Sequence, residues 1–266
     1  MKKTLFVLCA LLVASLGAAQ TEGIADYKLT GESMTGTGRM YISKAGYRVE
    51  WNMELSDSAR RGRGPHDMKT TILGKLSDPD VVYMVNDASK TYSTFNAKEA
   101  RDEVARSKEK YTVERLGTQT VAGFSCQDAR LKSTSGTEME VCLTRDLSVP
   151  AGWLSAMNRP GGGAGGGWSA LRDAGIEGLP VRWTTKPSRG GRGGPVTMEM
   201  TKFEKKSVPA STFEIPAGYT KSDAMSVGMS PEQKRQMDEA LKNMTPEQRK
   251  QYEEMMKKYG QAPPKD

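Results

Sequence analysis

Between Tyr47 and Glu54 every second residue is large and apolar: Tyr47, Val49, Trp51 and Met53 alternate with Arg48, Glu50, Asn52 and Glu54. A period of two fits a strand with one buried and one wetted face, and a helix would scatter both sets around its axis. The chain before it turns at Lys44-Ala45-Gly46, so residues 36–54 read as a hairpin. Three more strands are expected over 70–76, 81–85 and 91–95, separated by Ser77-Asp78-Pro79-Asp80 and Asn86-Asp87-Ala88-Ser89. Asn96-Ala97-Lys98-Glu99 then has the pattern of a capping box and opens a helix to about residue 108. Strands resume at Tyr111, break off over 151–177, and return over 179–185 and 196–205. Short strands with few helices predict a mainly β chain built on a strongly curved antiparallel sheet.

Cys126 and Cys142 stand at the ends of a further hairpin that turns near Ser133-Thr134-Ser135-Gly136. Folding there pairs residues whose numbers sum to 268 and sets Cys126 directly opposite Cys142, within the reach of a disulfide. Ala129, Leu131, Met139, Val141 and Leu143 then share one face. Phe124, both cysteines, Asp128, Arg130, Lys132, Glu138 and Glu140 share the other. The bridge is thus expected outside the main apolar face, as a clamp contributing on the order of 3 kcal/mol. Two free thiols or a redox couple are the competing readings, and the absence of CxxC spacing weighs against them.

Met1-Lys2-Lys3, the apolar run from Leu5 to Leu16 and Gly17-Ala18-Ala19 read as a secretory signal peptide over residues 1–19, too short for a permanent bilayer span. Cys9 lies inside the apolar run, without the small residues that a lipoprotein cleavage site carries. The mature chain is therefore expected to be periplasmic or secreted, in keeping with an oxidised cysteine pair. Loss of Lys2 and Lys3 leaves 37 basic residues against 32 acidic ones, a mild excess that favours anionic surfaces without naming a partner.

The interruption at 151–177 carries two short apolar helical segments, around Trp153-Leu154-Met157 and Trp168-Leu171, flanking a PGGGAGGG run. Helices this short are not stable alone and must pack on something, while the glycines suit a lid that opens. Trp153, Leu154, Met157, Trp168 and Leu171 are candidate lid residues, with Trp51 and Met53 on the sheet beneath them. Two loops, one with Arg60, Arg61, Arg63 and His66, the other with Arg189 and Arg192, are candidate contacts for an anionic membrane surface. The second has the Arg-Gly character of RNA-binding segments, but an exported chain argues against nucleic acid, and a flexible hairpin tip is the plainer reading.

From Met229 the chain reads MSPEQKRQMDE, which recurs fifteen residues later as MTPEQRKQYEE. Ser230 and Thr245 read as N-caps, Pro231 and Pro246 as first helical residues, and Gln233 and Gln248 complete capping boxes. Helices are expected over 231–243 and 246–259. Their apolar stripes are thin, so a solvated tail competes with a hairpin that binds a protein partner.

Catalysis and metal binding find little support. His66 is the only histidine, no G-x-S-x-G is present, and one histidine with two paired cysteines makes no zinc set. A non-enzymatic protein without a cofactor is expected. The chain has 16 methionines, among them Met198 and Met200. Thioethers bind Cu(I), but these are not tightly clustered, and filling of an adaptable apolar pocket is the preferred role.

The stretches ADYKLTGESMTGTGRMYISKAGYRVEWNM, DPDVVYMVNDASKTYSTF, LGTQTVAGFSCQDARL, GLPVRW and VPASTFEIPAGYT, taken in order, resemble a bacterial envelope family known only as a domain of unknown function. That family is similar in turn to the periplasmic lipoprotein carrier and its outer-membrane receptor, LolA and LolB. The resemblance covers about residues 24–221. It implies a half-open β-barrel with short helices against its concave face, closing an apolar cavity that in the carrier holds acyl chains. The expected organisation is a β domain over 20–221 and a helical tail over 222–266. The expected function is that of an exported carrier or sensor for a lipid, acyl chain or other apolar ligand. The alternative is a protein-interaction module whose tail binds an envelope protein. The tail also resembles the repeated Leu-Thr-x-x-Gln of small helical periplasmic chaperones, with Met in place of Leu.

Overall fold

The computed structural model describes residues 21–56, 67–106, 109–148, 153, 166–186, 194–222 and 231–258. The first half is a meander of β1 (Gly23–Gly31), β2 (Met34–Ser43), β3 (Gly46–Leu55), β4 (Asp67–Lys75), β5 (Asp78–Asn86) and β6 (Thr91–Asn96). Helix α1 (Ala97–Arg106) follows, then β7 (Tyr111–Val121), β8 (Phe124–Ser133) and β9 (Glu138–Thr144). Helix α2 (Gly167–Asp173) precedes β10 (Leu179–Lys186) and β11 (Val196–Glu204), and a 3-10 turn (Ala210–Phe213) leads to β12 (Thr220–Lys221). Two helices, α3 (Pro231–Lys242) and α4 (Pro246–Lys258), end the described chain.

The twelve strands make one sheet in the order β12-β6-β5-β4-β3-β2-β1-β11-β10-β9-β8-β7. Its edges, β7 and β12, do not pair with each other, so the sheet is curved but unclosed. Phe124 on β8 and Phe203 on β11 meet edge-on with ring centroids 5.8 Å apart. Three strand spacings in a flat sheet would be about 14 Å, so the contact requires a strong curl. The chain passes from one side of the sheet to the other through α1. That helix starts where Asn96 caps it, its Oδ1 accepting from the N–H groups of Lys98 at 2.9 Å and Glu99 at 3.1 Å.

Register divides each strand between two faces. The inner face carries Tyr27 and Leu29 of β1, Met40 of β2, Tyr47 and Val49 of β3, Leu131 of β8, Val141 of β9 and Trp183 of β10, all buried. Gly38 lies between Tyr27 on one neighbouring strand and Trp51 on the other. A Cβ there would stand within the Trp51 ring, so glycine is what lets that ring lie across β2. Trp51 thereby reaches Tyr27 with centroids 6.1 Å apart, and Tyr27 reaches Trp183 at 6.0 Å. On the outer face a smaller buried group, Leu73, Val85 and Phe213, sits under the 3-10 turn.

Three sequence expectations need correction. The β8–β9 ladder pairs Asp128, not Cys126, with Cys142. The hairpin loop is centred on Ser135, with Ser133 N–H donating to Thr137 O at 2.9 Å and Gly136 at φ 88° closing a three-residue turn. A shift of two residues keeps every side chain on its face. Cys126 and Cys142 still bond, with Cα atoms 5.3 Å apart where the ladder ends. The bridge does not lie apart from the main core as expected: both cysteines are buried within it, with Phe124 and Phe203 packed against it. Likewise Asp78-Pro79-Asp80 belongs to β5 and not to a turn, with the proline tolerated beside a register irregularity at Gly74–Lys75.

Two outcomes follow from this packing. Gly38→Ala should lower stability by roughly 1–3 kcal/mol through forced displacement of Trp51, measured by urea unfolding. Cys126→Ala with Cys142→Ala should cost about 2–5 kcal/mol in the same assay, and thiol labelling of unfolded, unreduced protein should find no free sulfur at either position.

Candidate functional site

The inner face is not covered evenly. Over β7–β9 it is filled by α2, whose Trp168 and Leu171 are buried together with Ile176 just beyond the helix. Gly167 sets the helix against Met139, Leu131 and Tyr111. The helix ends with Ile176 N–H donating to Leu171 O at 2.9 Å, and Arg115 and Arg145 reach the terminal carbonyls of Ala174 and Gly175. Cations there complement the helix dipole. Tyr111 donates to Glu109 at 3.0 Å, and burial, then that carboxylate, push its pKa up to about 12.

Over β3–β6 the inner face is partly open. Met53 opposes Met68, and Ile72 opposes Met84, which opposes Ser93. Trp51, Ile72 and Phe95 border the main core, whereas Met53, Met68 and Met84 lie on the same face beyond it. Met68 is 39% exposed, one of two large apolar side chains so exposed among the described residues. A strip of three thioethers, an indole, an isoleucine and a phenyl ring is apolar and deformable, and none of these side chains carries a charge.

The sequence-derived residues thus fall in three groups. Trp51 and Met53 are on the open strip. Trp153, Trp168 and Leu171 are buried in the main core, and the indole N–H of Trp168 has no hydrogen-bond partner. Leu154, Met157, Arg60, Arg61, Arg63, His66, Arg189 and Arg192 lie outside the described residues, as do the signal peptide and Ser230. Met68, Met84, Phe95 and Ser93 were not singled out from sequence, since only the pairing of β3 to β6 puts them on one face with Trp51.

A groove of about 680 Å³ on the outer face runs over β1–β3. Of its charged residues, Arg39 pairs with Asp26 within the groove and Glu50 with Arg48 outside it, both at 2.7 Å. Among the described residues no three His, Cys, Asp or Glu side chains converge to hold a metal ion, and no helix is long and apolar enough to cross a membrane.

Solved structures similar to this chain include an uncharacterised conserved protein of Thermus thermophilus, with a TM-score of 0.42 and 8% identity over 76% of this chain and 90% of that one. MucB in the MucA/MucB complex of Pseudomonas aeruginosa has a TM-score of 0.38 and 13% identity, over 75% of this chain and 56% of that one. An outer membrane lipoprotein-sorting protein domain from Vibrio parahaemolyticus has a TM-score of 0.28 and 11% identity, over 73% and 89%. No curated protein matches the sequence. The profile of a domain of unknown function, DUF4412, matches residues 21–219, and the chain belongs to that family.

Proposed function

We propose that this is an exported, non-catalytic binding protein that holds an acyl chain or similar apolar ligand on the inner face of its sheet. The observation that carries the reading is the strip of Trp51, Met53, Met68, Ile72, Met84 and Phe95, apolar, half-covered and continuous with the core. Apolar surface left open beside a packed core is a place for a partner. The helix bearing Trp168 and Leu171, with the segment around Trp153, Leu154 and Met157, would act as its cover. The leader at 1–19 and the Cys126–Cys142 bridge support a periplasmic or secreted location. Arg60, Arg61, Arg63, Arg189 and Arg192 would hold the protein to anionic headgroups while the ligand transfers.

A second reading, a scaffold acting through its C-terminal helices, draws on the tail's repeat. Thr245 and Gln248 form the reciprocal cap, with Gln248 N–H donating to Thr245 Oγ1 at 3.2 Å and Thr245 N–H to Gln248 Oε1 at 2.9 Å. Most of the described side chains of these helices are exposed.

Mass spectrometry of natively purified protein should find co-purified lipid, and added dodecanoate should shift tryptophan fluorescence. Met68→Glu, at an exposed position, should leave the fold intact and weaken that binding at least ten-fold by placing a charge on the strip. Truncation after Met225 should change neither binding nor the thermal midpoint. An empty protein that binds no lipid probe, yet loses a protein partner on truncation, would favour the second reading. Flotation with phosphatidylglycerol vesicles should be salt-sensitive and lost when the five arginines are replaced by serine. Salt-independent flotation would remove the loops from the function.

A further inference from the structure

Among the described residues three buried side-chain polar atoms have no hydrogen-bond partner: the hydroxyls of Ser93 and Ser222 and the indole N–H of Trp168. Two of these are neighbours. Ser93 is opposite Met84 on the inner face, and Lys221 is opposite Tyr92, so Ser222 follows beside Ser93 on the same face. The backbone of Ser222 is anchored, its N–H donating to Tyr92 O at 2.8 Å, while its hydroxyl is left over. Ser93 exposes 1% of its surface. A buried hydroxyl without a partner carries a desolvation penalty that nothing in the chain offsets.

The position of the pair gives it a meaning. The row Ile72–Met84–Ser93 crosses β4, β5 and β6, so the open apolar strip ends at the two hydroxyls by the edge of the sheet. We propose that Ser93 and Ser222 are the polar terminus of this site and donate hydrogen bonds to a carbonyl oxygen of the ligand. The ligand class is an amphiphile whose chain ends in a carboxylate or an ester, with the chain over Met84, Ile72 and Met53. No charged side chain stands on that row, so the head is recognised by hydrogen bonding and not by charge. The inference rests on the reading of the inner face as an apolar binding site.

The test is calorimetric titration of the mature full chain with three compounds sharing a dodecyl or dodecanoyl chain, all below their micellar concentrations. Dodecanoate presents a carboxylate, 1-dodecanoylglycerol an ester, and dodecyltrimethylammonium a head that can neither donate nor accept. Ser93→Ala with Ser222→Ala should weaken binding of an acyl compound about ten-fold or more and leave dodecyltrimethylammonium unchanged. Weakening of dodecanoate alone assigns the head to a free carboxylate, and weakening of both acyl compounds to a carbonyl in either form. The thermal midpoint of the variant should be unchanged or higher, since an unpaired hydroxyl has been removed from an apolar setting. Ser222→Ala alone, at a half-buried position, should show the same pattern in smaller degree and covers the case in which the double variant fails to fold. If all three compounds bind the parent and the variants alike, the hydroxyls are only a residual cost of folding and the inference falls, while the apolar site stands. If the parent binds none of them, the apolar site falls and the inference with it.

Discussion

The contact of Tyr27 with Trp51 on one side and Trp183 on the other, tilted in one pair and edge-on in the other, is the interaction on which the inner face depends. It spans from β3 to β10 and crosses β1, the strand in the middle of the sheet. The phenol of Tyr27 donates to Pro180 O at 3.2 Å, which binds the two sides by a polar contact inside an apolar one. Burial raises the Tyr27 pKa well above the ordinary phenol value, so the group stays a neutral donor. Without a side chain at Gly38 to separate the rings, the apolar surface is continuous from the covered half to the open one.

The two faces solve different problems. Outside, Thr184, Thr197, Thr30 and Thr35 stand directly opposite one another on four adjacent strands, with the Thr184 and Thr197 hydroxyls 2.8 Å apart. Beside them Arg130 pairs with Glu140 at 3.1 Å, and Lys186 with Glu140 at 3.2 Å. Exposed pairs of this kind add little stability. They do keep a broad sheet face soluble and fix its register. The inner face lacks such compensation, and its chemistry is that of the methionines and aromatic rings.

Much of this was legible in the sequence because period-two alternation is local. Tyr47, Val49, Trp51 and Met53 share the inner face as their spacing requires, and Asn96 caps α1 as its pattern requires. The cysteine register was off by two because loop length depends on the conformation of Gly136, which residue type alone leaves open. Burial of the bridge was missed because what packs over a strand face depends on segments distant in sequence. The open strip was half legible: Trp51 and Met53 stood out, while Met68 and Met84 join them only through strand order. The unpaired hydroxyl of Ser93 has no signature at all, since serine in a strand is ordinary until its neighbours are known.

The seam between β1 and β11 joins residues 24–31 to residues 196–204 at the centre of the sheet. The strands on either side, β1 to β6 and β7 to β10, can zip up from neighbouring hairpins soon after they emerge. The seam cannot form before the last long strand arrives. Closure of so distant a pair is slow, and until then the apolar edges of β1 and β10 remain unpaired and prone to wrong association. A chain with this order of events gains by being kept unfolded until β11 has been made, so that the seam closes in a single step.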